Sequence, residues 1–130
     1  MLFFGHRFIA NENFYHILDI DAILKTPPQA TLFLKWDENN LDIISYMQEN
    51  NLSFALEVET LEAVMYASAL GACYIFVPKD LVKTAQSVAE NYLFDAKILV
   101  FIEHEKEIES MALLGIDGVV FANAIVKISS

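Results

Sequence analysis

Four carboxylates, a lysine and an asparagine stand at or just past the ends of apolar runs in this chain: Asp37, Glu57, Glu59, Lys79, Glu103 and Asn123. Ligands of open α/β sheets and barrels collect at the carboxyl ends of the strands, so these six side chains are candidates for one site. Carboxylates gathered there could hold Mg²⁺ through their oxygens, with Lys79 beside them for an anion. The same acids have a plainer use, because a carboxylate that precedes a helix caps it or complements its dipole. His6, His16 and His104 share no metal-ligand spacing. Cys73 falls in an apolar run, where a thiol acts as a small hydrophobe, whereas a reactive one needs access and an electropositive setting. The aromatic opening, with Phe3, Phe4, Phe8, Phe14 and Tyr15, reads as core or interface or as the wall of a ligand pocket.

The elements that must position these residues follow a repeat of about 21 residues, an apolar β-branched run and then an amphipathic segment, which is the rhythm of consecutive βα units. Strands are expected at Thr31 to Trp36, Phe54 to Val58, Cys73 to Val77, Ile98 to Ile102 and Val119 to Phe121. Between them, Asp37, Asn39 and Asn40 offer cap chemistry for a helix to Glu49. Thr60 caps one to Leu70, Asp80 caps the next, and His104 to Leu114 forms the last. Residues 1–28 do not follow the repeat. Strands over Leu2 to Ile9 and Tyr15 to Ile20, and a turn capped by Asp21, read as an opening segment that covers an edge or end of the sheet, ahead of βα repeats over residues 30–128. Right-handed crossovers leave two architectures for this single α/β domain, a TIM-barrel-like half barrel or a small doubly wound parallel sheet. A half barrel would expose an apolar inner face and two edges, which predicts self-association.

Composition narrows the partners. With 18 Asp and Glu against 8 Lys and Arg, the formal charge of −10 repels phosphate backbones and anionic lipid surfaces, so neither nucleic acid nor a membrane is expected. The hydrophobic share of 55% and mean hydropathy of +0.40 leave apolar surface for an oligomer interface, a homodimer being the simplest. One cysteine and no readable targeting segment fit a reducing cytoplasm. Ala63 to Pro78 carries no charge but is shorter than the ~20 residues of a bilayer span.

The segment Ile98 to Ile125 carries Gly115, Ile116, Asp117, Gly118, Val119 and Val120 and resembles the closing βαβ units of phosphate-binding TIM barrels. In those families a Gly-Ala-Asp-Gly-Val-Val run leads to a short helix whose amides hold a substrate phosphate; Ala122 stands here where the phosphate-contacting Gly would be. His6-Arg7 and Glu12-Asn13 also look like the His-Arg and Glu-Asn metal-site motifs of glycerophosphodiester phosphodiesterases, with Phe8 in place of Gly and Asn11 in place of Pro. That likeness, joined to the strand-end carboxylates, gives His6, Glu12, Glu57 and Glu59 as the candidate divalent-metal set. Lys79 follows Val77-Pro78 at a strand end, where some barrel aldolases hold a reactive lysine.

Two functions follow. The leading one is a non-enzymatic interaction or ligand-binding module with no cofactor, taking a small anionic ligand or a protein partner. Its rival is a metal-dependent enzyme, phosphodiesterase-like or aldolase/isomerase-like, acting on a phosphorylated small molecule with a cation such as Mg²⁺. A structural subunit of a larger assembly is a third class.

Overall fold

Alternation of inward and outward side chains along each short strand divides the apolar residues of this protein into two cores. The computed structural model describes residues 1–128. Along β3 (Thr31–Lys35), Leu32 and Leu34 face outward and Phe33 faces inward, the period-two pattern that the later strands repeat. The remaining strands are β1 (Leu2–Phe4), β2 (Phe14–His16), β4 (Phe54–Glu57), β5 (Tyr74–Phe76), β6 (Lys97–Phe101), β7 (Gly118–Val120) and β8 (Ile125–Lys127). The helices are α1 (Ile20–Ile23), α2 (Leu41–Glu49), α3 (Leu61–Ala69), α4 (Val82–Asn91) and α5 (Glu107–Leu113). None among the described residues is long and apolar enough to cross a membrane.

All eight strands run parallel in one sheet, in the order β1-β7-β6-β5-β4-β3-β2-β8. From β2 to β7 every crossover steps to the next place in the same direction. A doubly wound sheet would reverse direction part-way, so the architecture is the half barrel, with the helices packed along its outer face. The curl is tight. Phe4 of β1 and Phe14 of β2 lie six strands apart in the sheet order, yet their rings meet with centroids 4.9 Å apart.

The inner core is therefore aromatic: Phe4, Phe14, Phe33 and Phe76 are buried with Ala55, Leu99 and Val120, and Tyr74 and Phe101 pack against them. This overturns the expectation of an exposed apolar inner face, because the chain's own rings fill it. The outer core joins Leu34, Leu56, Ile75 and Ile98 to Ile44 and Met47 of α2, Val64 of α3 and Ala85 of α4.

Several local expectations also change. Residues 1–28 do more than cover an edge, since β1 pairs with β7 and β2 lies between β3 and β8. Asp19, in place of Asp21, caps α1 by accepting from the Ala22 N–H at 2.8 Å. Cys73 is exposed just before β5. Asp80 sits in a 3-10 turn, and α4 buries Val82, Ala85, Gln86 and Ala89; Gln86 is drawn inward because its Oε1 accepts from the Asp117 N–H at 3.0 Å. The last helix begins at Glu107, whose carboxylate reaches back to accept from the N–H groups of Glu103 and His104 at 2.8 and 2.9 Å.

Candidate functional site

Parallel strands bring all their carboxyl ends to one face, and there the inner row changes from aromatic to charged. Continuing the alternation past the phenylalanines places His16 on β2, Lys35 on β3, Glu57 on β4 and Lys127 on β8 around the rim. Register pairs His16 with Lys127 and Lys35 with Glu57. His16 stands edge-on to Phe33, with ring centroids 5.2 Å apart. Burial is the main force holding the His16 imidazole below its ordinary value; the Lys127 charge adds to it and Glu57 opposes it.

The sign of that shift predicts a pH response. Between the lowered folded value and the ordinary ~6.5, the unfolded chain binds the proton that the folded chain refuses, so stability falls as the pH drops through this window. Thermal melts between pH 7.5 and 5 should show the native protein losing melting temperature more steeply than His16→Gln. Parallel curves would mean that His16 is not held in this environment.

Beside the rim lies a cleft of about 340 Å³, built by the ends of β3 and β4 and the first turns of α3. The Trp36 N–H donates to the Glu57 carbonyl at 2.8 Å, continuing the β3–β4 pairing to the cleft edge. Asp37 accepts from the Asn39 N–H at 2.8 Å, and the Thr60 hydroxyl oxygen accepts from the Ala63 N–H at 3.1 Å; these caps fix the two walls. At one side of the cleft Trp36 and Tyr66 pack against each other, with centroids 5.7 Å apart and planes tilted by 47°. The Tyr66 hydroxyl leans on Glu62 at 3.4 Å. Asp37, Glu57, Glu59 and Glu62 line the space with a single cation, Lys35, whose Nζ is 3.8 Å from Glu59.

The candidate metal set is not assembled in one place. Glu57 and Glu59 line the cleft, but Glu12 precedes β2 at the opposite end of the sheet, where its carboxylate accepts from the Thr31 hydroxyl at 2.6 Å. Its charge there adds to the burial that raises the Tyr74 hydroxyl at the start of β5. The His6 side chain is 3% exposed, and both of its ring nitrogens are engaged: Nδ1 accepts from the Phe8 N–H at 3.3 Å, and Nε2 lies 3.3 Å from Glu105. Arg7 holds the same Glu105 carboxylate at 2.8 Å and keeps it below its ordinary value. Among the described residues no three His, Cys, Asp or Glu side chains are placed to hold a metal ion.

Of the six strand-end residues, Asp37, Glu57 and Glu59 meet in the cleft and Lys79, Glu103 and Asn123 lie elsewhere. Asp37 caps its turn and lines the cleft. Lys79 donates to Glu107 at 2.6 Å, and that contact, with the Glu103 and His104 amides, brings the Glu107 carboxyl down to about 2. Glu103 contributes its backbone N–H to the same carboxylate. Asn123 lies against Gly5, where its Oδ1 would be 2.9 Å from an added Cβ. No protein-family model matches the chain, and no curated protein does either.

Sequence reasoning missed Trp36, Tyr66, His16 and Lys127. The readable signal was the alternation of β3, which carries Phe33 on to Lys35, together with the Glu62 to Tyr66 spacing of one helical turn.

Proposed function

We propose that this protein is a non-catalytic binding module whose cleft between β3, β4 and α3 takes a ligand bearing an ammonium or guanidinium group. The observation that carries the reading is that the packed Trp36 and Tyr66 rings line one concavity together with four carboxylates. Aromatic faces attract a cation through their quadrupole, by ~0.5–2 kcal/mol, and carboxylates add charge-assisted hydrogen bonds. The anionic ligand expected from Lys79 loses its anchor, since that ammonium is taken up by Glu107. Two other chemistry-bearing groups, His6 and Glu12, are engaged in local contacts, with Glu105 and the Thr31 hydroxyl respectively.

Trp36 is the chain's one tryptophan, so its fluorescence reports directly on the cleft. Titration with butylammonium or butylguanidinium should give a saturable change with a Kd near ~1 mM, the scale of about 4 kcal/mol. Butyrate should give none. Glu59→Gln with Glu62→Gln should weaken the cations about tenfold, corresponding to about 1.4 kcal/mol. An equal response to butyrate, or undiminished affinity in the double variant, would sink the reading. Under it millimolar Mg²⁺ leaves the melting temperature unchanged; a rise abolished by Glu57→Gln with Glu59→Gln would instead favour a metal-dependent enzyme.

A further inference from the structure

The cleft does not end at its aromatic pair. On the far side of Trp36 and Tyr66 a second groove of about 350 Å³ runs between α2 and α3, floored by Leu41, Ala69 and Leu70, with Glu38 at its rim. Leu41 is 42% and Tyr66 47% exposed, so this is apolar surface open to solvent. The two concavities share Trp36 and Tyr66 and so form one surface, acidic at one end and apolar at the other.

Resting on the cation-binding reading, we propose that this joint surface docks a basic amphipathic segment of a partner protein. The partner's apolar side chains would lie over Leu41 and Ala69, and a Lys or Arg would enter the cleft. Charge complementarity selects this occupant. Asp37, Glu38, Glu57, Glu59 and Glu62 surround the two concavities, and Lys35 is the sole cation lining them. A second copy of the chain, with 18 acids against 8 cations, meets net repulsion here. An apolar stripe flanked by Lys or Arg satisfies both ends at once.

The test uses the full chain, Trp36 fluorescence and a short synthetic helical peptide of Leu and Lys with the two residue types on opposite faces. The peptide should bind at least tenfold more tightly than butylammonium. Replacing its Lys by Glu should abolish binding, and replacing its Leu by Ser should reduce affinity to the butylammonium level. Leu41→Ser, which lies outside the cleft, should weaken the peptide several-fold and leave butylammonium unchanged. If butylammonium binds and the peptide binds no more tightly, the docking surface is refuted and the cation cleft stands. If neither binds, both readings fall. Undiminished peptide affinity in Leu41→Ser, or equal binding of the Glu peptide, would also overturn the docking proposal.

Discussion

Phe76→Ala is expected to cost about 3–5 kcal/mol of folding stability, the range for truncating a buried ring. Phe76 is 1% exposed, and its ring centroid lies 5.1 Å from Phe14, 4.9 Å from Phe33 and 4.9 Å from Phe101. It is thus the residue through which β2, β3, β5 and β6 meet inside the curl. The backbone around it is a hydrogen-bonded ladder that cannot contract by a ring's width, so the cavity persists and adds to the lost transfer energy. For a domain whose whole stability is ~5–15 kcal/mol, that is a large share. Urea unfolding should show a lower midpoint at an unchanged slope, while Leu113→Ala, at a side chain 82% exposed, should stay within ~0.5 kcal/mol of the native protein. A loss below ~1 kcal/mol at Phe76 would show that the interior is not packed around this ring.

Gly5→Ala should be nearly as damaging, at about 2–5 kcal/mol, from two separable causes. Gly5 has φ 73°, where an L side chain is strained by ~1–2 kcal/mol. A Cβ there would also come within 3.1 Å of the Ala124 N and the Phe121 carbonyl oxygen, backbone atoms of the turn between β7 and β8 that have nowhere to go. Gly71, which ends α3 with φ 92°, has nothing within 4 Å of an added Cβ. Gly71→Ala thus measures the conformational part alone. The difference between the two variants in denaturant midpoint should amount to ~1–3 kcal/mol of crowding, and equal losses would show that β1 does not press on that turn.

The central βα units were legible because each repeats the same local cue, an apolar run and then a capped amphipathic helix. Thr60 caps α3 as expected, whereas Asp37 caps a 3-10 turn over Glu38–Asn40 that precedes α2. β1 and β2 were not legible as members of the sheet, since each is three residues long and gains its place from partners distant in the chain, β7 for one and β8 for the other. The start of α5 was displaced because a side chain one turn into the segment, Glu107, does the capping. For the site, position along a strand was readable, so Glu57, Glu59 and Asp37 were singled out and do line the cleft. Which end of the sheet a loop residue occupies was not readable, and Glu12 lies at the wrong one. Trp36 and Tyr66 look like any core aromatics until the two elements that carry them are set side by side.

The pairing of Leu2–Phe4 with Gly118–Val120 puts a constraint on synthesis. As the chain leaves the ribosome, the units from β2 to β6 can assemble in turn, each against its predecessor. β1 is made well before its partner β7 and stays an unpaired apolar edge until β7 follows. β1 therefore joins the sheet after β2 to β6, by the most sequence-distant strand pairing among the described residues, and the nascent chain is most vulnerable to trapping by other strands just before β7 arrives.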